Sequence, residues 1–255
     1  MAMVAMAGPT AAETVHLYAA GSLKGALTDI ARAYDASTGN KIEAKYGPSG
    51  LLKNEIAGGA RADVFASANM EHPQALHDEK KSGPVIRFAG NKLCALVRPG
   101  LELESASLLK FMLDPDTKLG TSTPKADPSR DYAFDVFRKA DAIKPGAKAV
   151  LEKKALQLTG GAASATPPAG RTVYGWHVAE GRADIFLTYC TNALAAQKED
   201  SRQRIVPLPD NLAVGADYGL TVMAGASPSA QQFAEFIMSS QGQQILASHG
   251  FVAGK

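Results

Sequence analysis

Apolar positions along this chain follow two rhythms that take turns. "TVHLYAA" (14–20) alternates as a strand, and "SLKGALTDIARAYDAS" (22–37) then places Leu23, Ala26, Leu27, Ile30, Ala31 and Tyr34 at helical spacing until Gly39 stops it. "KIEAKY" (41–46) returns to alternation, "GPSG" turns, "LLKNEIAGG" is a short helix, and "ADVFASA" (62–68) is a third strand. Strand–helix alternation of this kind predicts a parallel sheet with helices on its faces.

The rhythm changes near residue 84. "PVIRFAGNKLCALVRPG" is one long extended segment, with Gly90 inside it and Pro99-Gly100 at its end. A second series follows: "KLGTSTP" (118–124) as a strand, "RDYAFDVFRKAD" (130–141) as a helix, a further helix near 147–157, and "ADIFLTY" (183–189) as a strand. "RIVPLP" and "YGLTVMAG" (218–225) are extended again, and "SAQQFAEFIMSSQGQQILASHG" reads as one amphipathic last helix through Phe233, Phe236, Ile237, Ile245 and Leu246. "TGGAASATPPAG" (159–170) has the composition of a flexible loop. Two α/β series joined by two extended crossings predict a two-lobed α/β protein with a cleft and a hinge. Lobe one is expected to comprise 14–86 plus 216–255 and lobe two 87–215, each a mostly parallel sheet flanked by helices.

Composition narrows the partners. The formal net charge is +2 with 20% charged residues, and no Lys/Arg-dense run is present, which argues against nucleic acid as a partner. "HDEKK" (77–81) mixes signs, as a solvated helix end does. No stretch approaches the roughly 20 apolar residues of a membrane span. Residues 1–13, "MAMVAMAGPTAAE", lack the basic start and long apolar run of a complete signal peptide, and read as a disordered tail or the remnant of a removed signal. The two cysteines, Cys94 and Cys190, allow one disulfide without requiring it, and buried free thiols fit their apolar surroundings equally well.

Candidate chemistry lies where strands run into helices. In "LYAAGSLKGAL" (17–27) an apolar strand feeds a helix through residues with almost no side chain. Ser22 stands there, Ser49 stands in "YGPSGLL", and Ser129 stands in "KADPSRDYAF"; each follows a strand and so lies at the carboxyl edge of its sheet, where open α/β sheets bind ligands. A single serine in such a place is ordinarily a helix cap. Three of them beside Gly21, Gly25, Gly47 and Gly50 suggest more, because helix starts expose unpaired N–H groups and a partial positive charge. Converging on one cleft, they would form a neutral, donor-rich pocket for a small anion.

At "AAGSLKGAL", "YGPSGLLKNEIAGGARADVFASAN" and "ADIFLTYCTNAL" the sequence resembles the periplasmic molybdate-binding proteins of ABC transporters. The family's G-A-x-A-D-V-F-x-S-A stretch is nearly repeated at 59–68, "DPSRDYA" is similar to its Pro-Ala-Gly-x-Tyr-Ala segment, and "TYCTNAL" to its Tyr-Gly-Ser-Asp-Ala. The resemblance covers nearly the whole chain. It implies a two-lobed receptor of the type II solute-binding fold, located in the periplasm, which holds molybdate, and tungstate with it, for an inner-membrane permease. It implies no catalysis and no cofactor, and a monomer is expected. Carried over by motif, Ser22 and Ser49 become hydroxyl donors from lobe one, Ser129 falls where the family offers a main-chain N–H from lobe two, and Tyr189 matches its tyrosine. The family's remaining small apolar position falls on Arg171 here, and a guanidinium in the cleft would suit a different or larger anion, such as an organic carboxylate.

Rival readings are weaker. "GPSGL" lacks the glycine at the fifth position of a hydrolase nucleophile elbow, and none of the five histidines has a motif tying it to a serine. His72 and His77 are five apart and the cysteines are isolated, so a metal site has little support, and no P-loop occurs. Sulfate or phosphate in the same cleft remains open. Asp63 is expected to orient its own turn, since a carboxylate would repel a dianion.

Overall fold

The computed structural model describes residues 12–123 and 127–254, without the side chain of Arg130. The expected N-terminal tail lies, but for its last residues, outside this range.

The first series folds as its pattern predicts. Strand β1 (Thr14–Ala20) buries Val15, Leu17 and Ala19 on one face, while His16 and Tyr18 on the other stay half-buried. A single 3-10 turn (Gly21–Leu23) leads into helix α1 (Lys24–Thr38), which turns Ala26, Leu27, Ile30 and Tyr34 inward and ends at Gly39 in the left-handed region (φ 78°). The next elements are β2 (Lys41–Gly47), α2 (Ser49–Ala57), β3 (Val64–Ser67) and α3 (Glu71–Asp78). β1 pairs in parallel with both β2 and β3. β2 is the edge strand, and Lys41, Glu43 and Lys45 lie along it, a charged edge that resists pairing with another chain.

The long extended segment is β4 (Ile86–Val97), and it belongs to two sheets. Its first half, Ile86–Lys92, runs antiparallel to β9 (Gly215–Val222), which is itself antiparallel to β3. Its second half, Leu93–Val97, runs antiparallel to β7 (Ile185–Tyr189), and Cys94–Val97 also pair with β8 (Arg204–Pro207). Beyond β7 lie β5 (Leu119–Ser122) and β6 (Leu156–Thr159), parallel to one another, with β5 parallel to β7. The strand order is therefore β2-β1-β3-β9-β4-β7-β5-β6, with β8 and the short β10 (Val252–Ala253) beside β4. Two parallel wings hang on the antiparallel crossing of β4 and β9, and the cleft opens between them.

Helices α4 (Leu108–Leu113), α5 (Pro128–Ile143), α6 (Ala147–Lys154), α7 (Val173–Ala179) and α8 (Cys190–Glu199) accompany the second wing. α9 (Pro228–Met238) and α10 (Ser240–Ser248) return to the first, where α10 packs on α1. Each fully buried aromatic such as Phe137 or Phe233 contributes about 1.5–3 kcal/mol by leaving water. At the crossing, Tyr218 touches Phe88, Tyr189 and Phe251 edge-on at 5.5–6.3 Å, so aromatic rings from both wings pack together beneath the cleft, which Tyr189 and Phe251 line.

Two predicted elements need correction. The last helix is broken: Ser239 is extended (ψ 163°) and caps α10 by accepting from the Gly242 N–H at 3.2 Å, so the segment is two helices. The helix expected over 147–157 stops at Lys154, because Leu156–Thr159 pair with β5 as an edge strand. Cys94 and Cys190 are joined in a disulfide, with Cα atoms 4.9 Å apart, tying β4 to the first residue of α8.

Candidate functional site

Between the wings lies a cleft of about 930 Å³, onto which the starts of several helices converge. The 3-10 turn brings Ala20, Gly21 and Ser22; α2 brings Pro48 and Ser49; α8 brings Tyr189, Thr191 and Asn192; and α5 and α7 bring Asp127 and Tyr174. Strands deliver their ends to a common edge, and small residues there leave main-chain N–H groups open to a guest.

Ser49 is the first residue of α2, with Pro48 as the capping position. Its hydroxyl oxygen accepts from the Ala68 N–H at 3.1 Å, which leaves its own proton for another acceptor. The first intrahelical bond of α2 is Leu52 N–H to Pro48 C=O at 3.0 Å, so the earlier first-turn N–H groups have no intrahelical acceptor. Ser22 lies 2.9 Å from the Tyr218 hydroxyl. Tyr189 is buried, and it donates across the cleft floor to the Ala68 carbonyl at 3.2 Å, so Ala68 ties the Ser49 turn to the second wing. Burial holds the Tyr189 and Tyr218 hydroxyls well above the ordinary tyrosine range, keeping both neutral.

Ser129 behaves differently. It is fully buried in the first turn of α5 and is not on the cleft wall. Its hydroxyl donates to Ser122 Oγ at 2.8 Å, and its main-chain N–H donates to the Asp127 carboxylate at 3.0 Å. Asp127, not a serine, caps α5, followed by Pro128 at the first helical position. The structure thus brings Ser22, Ser49, Arg171 and Tyr189 to the cleft and leaves Ser129 behind it.

Asp127 also brings to the pocket a titratable carboxyl that the serine pattern does not predict. It is 8% exposed, lines the cleft, and is approached by the Tyr174 hydroxyl at 3.4 Å. Gly160 sits over it with φ +84°; a Cβ there would lie 2.6 Å from the Asp127 Cβ, so only glycine lets this loop close over the carboxylate. Burial pushes the Asp127 carboxyl above the usual carboxylate range, and hydrogen bonds from Ser129 only partly oppose it. The Asp-Pro-Ser order, a cap followed by proline, is the signal in the sequence that points to Asp127.

Arg171 reaches the cleft wall at the mouth, where its guanidinium lies 3.6 Å from the Glu199 carboxylate. Glu199 also accepts from the Thr172 N–H at 2.8 Å and from its hydroxyl. The Arg171 charge is thereby largely balanced. Asp63 accepts from the His16 N–H at 2.7 Å, in keeping with a structural role.

Comparison with known proteins agrees with this architecture. The family described as "Bacterial extracellular solute-binding protein" matches residues 15–252. The chain belongs to this family. Such proteins hold a small solute and hand it to an ABC transporter permease, and in general they are not enzymes. This solute-binding protein is 30% identical over 239 residues to the uncharacterized protein PM1146 of Pasteurella multocida, covering 93% of this chain and 98% of that one. It is 25% identical over 250 residues to the molybdate-binding protein ModA of Mycobacterium tuberculosis (strain H37Rv), covering 96% and 87%. Among solved structures, the sulfate-binding protein SubI from Mycobacterium tuberculosis superimposes with a TM-score of 0.78 at 20% identity, covering 94% of this chain and 86% of that one. The fold is that of the type II periplasmic binding proteins.

Proposed function

We propose that this solute-binding protein captures a tetrahedral oxyanion, molybdate and with it tungstate, in the cleft between its wings, in the periplasm, for delivery to an inner-membrane permease. One observation carries the reading: the Ser49 hydroxyl already accepts from the Ala68 N–H, so it faces a guest as a donor, at the first turn of a helix whose dipole favours an anion. Ser22 flanks it, and Tyr189 lies opposite, able to exchange its bond to Ala68 for one to the guest as the wings close. In this reading Ser129 supports Asp127 rather than the anion. The relation to ModA supports molybdate, and the disulfide suits an oxidising compartment.

Hydrogen bonds to a charged group contribute about 1.5–3 kcal/mol each, so Ser49→Ala is expected to weaken binding roughly 10- to 150-fold. Thermal-shift and calorimetric titrations with molybdate, tungstate, sulfate and phosphate test the assignment by mass action. A strong response to molybdate and tungstate, lost in Ser49→Ala, is the expected result; equal responses in parent and variant would remove Ser49 from the site. A wider organic anion anchored on Arg171 is the second reading. It is favoured by the cleft volume, which lies in the range of sites for small organic ligands. A dominant response to citrate, abolished in Arg171→Ala, would select it.

A further inference from the structure

We propose that Asn91 fixes the direction of the protons in the cleft and that Thr191 is a further donor to the anion, supplied by the second wing. The inference rests on the anion-binding reading above and gives roles to Asn91, which lies outside the quoted motifs, and to Thr191, which lies in "TYCTNAL" without a role carried over to it.

Asn91 sits on β4 next to the point where that strand leaves β9 for β7, and it is buried. Its carbonyl oxygen accepts from the Lys92 N–H at 2.9 Å. A main-chain N–H only donates, so this bond fixes which way the amide faces. The amide nitrogen is left to donate in two directions, to Thr191 Oγ1 at 2.8 Å and to the Tyr218 hydroxyl at 3.2 Å.

Each receiving hydroxyl then has one proton to place. Tyr218 is fully buried, and the acceptor the structure offers it is Ser22 Oγ, 2.9 Å away. The Tyr218 proton goes to Ser22, because the opposite arrangement would strand a buried O–H without a partner. Ser22 is therefore an acceptor within the protein and turns its own proton to the cleft. Thr191, which also lines the cleft, accepts from Asn91 and has its proton free in the same way. One amide on the crossing strand thus orients donors from both wings, and the Asn91–Tyr218–Ser22 relay polarises in a single sense. Asn91 is a positioning residue. Thr191 touches the guest.

Calorimetric titration with molybdate at pH 7.5, on the parent and on Asn91→Leu, Thr191→Val and Thr191→Ser, tests both halves. Leucine has a similar shape and no charge, so repulsion cannot account for a loss. Asn91→Leu and Thr191→Val are each expected to weaken binding by about tenfold or more, and Thr191→Ser to stay within about twofold of the parent. Parent-like affinity in both Asn91→Leu and Thr191→Val would overturn the proposal; if Asn91→Leu does not fold, parent-like affinity in Thr191→Val alone would do so. If the parent binds no molybdate, the anion reading fails separately, and proton direction is read from neutron diffraction of the deuterium-exchanged free protein. A deuterium on Tyr218 pointing at Ser22 supports the relay, and one on Ser22 pointing at Tyr218 sinks it.

Discussion

Removing the Cys94–Cys190 bridge, in a Cys94→Ala/Cys190→Ala double variant, is expected to lower stability by about 4 kcal/mol, which for a chain of this size is roughly 10 °C in melting temperature. The expectation comes from chain entropy: the bridge closes a loop across a sequence separation of 96, and loops near that length restrict the unfolded chain most strongly. Native-state geometry adds to it. The bond ties the crossing strand β4 to the first residue of α8, directly after Tyr189 and before Thr191, so its loss also frees a turn that walls the cleft. Scanning calorimetry of parent and double variant checks it. A shift under about 2 °C would mean that the unfolded state is already compact across this loop and that the bridge mainly positions α8.

The pairing of these cysteines shows what the sequence leaves open. Both lie in apolar runs, and only the register of β4 against β7, with Leu93 opposite Tyr189 and Cys94 opposite Thr188, brings residue 190 within reach. Register is a tertiary fact that periodicity does not carry. Where burial is one-sided or complete, pattern suffices: β1 alternates, and β7 is a mostly apolar run buried along its whole length. Edge elements escape it. β6 follows α6 with Leu156 exposed, and its leucines extend a helical spacing that only pairing with β5 overrules. Likewise the α9–α10 break has no proline and depends on one serine side chain turning to cap.

The candidate site was legible as residue types at strand–helix turns, but not as directions. Ser22, Ser49 and Ser129 follow strands in the same manner, yet Ser49 accepts from Ala68 and faces the cleft, while Ser129 donates to Ser122 behind it. A hydroxyl donates or accepts according to its neighbours, and those neighbours lie on other elements: Ala68 for Ser49, Ser122 for Ser129 and, far along the chain, Tyr218 for Ser22. Asn91 was visible only as a polar interruption of an apolar strand.

Asp127→Asn is expected to tighten dianion binding by about tenfold at pH 8, the opposite of what replacing a polar cleft residue ordinarily does. Asparagine caps a helix as well as aspartate, so the Ser129 N–H retains its acceptor and α5 its start. What disappears is a carboxylate facing the guest. The same substitution separates charge from shape through pH. Because burial raises the Asp127 carboxyl in the folded protein, its protonated form is favoured there, and its contribution to stability is full below the unfolded value of about 3.9. That contribution falls as pH rises from there through the raised folded value and is least above it. Asp127→Asn should therefore melt higher than the parent at pH 8, with the gap closing toward pH 4. The parent's affinity for molybdate should rise toward the variant's as the pH is lowered and the carboxyl gains its proton. A variant that binds molybdate more weakly than the parent at pH 8 would mean that the Asp127 side chain itself takes part in holding the guest, as a protonated carboxyl that donates to an oxyanion oxygen.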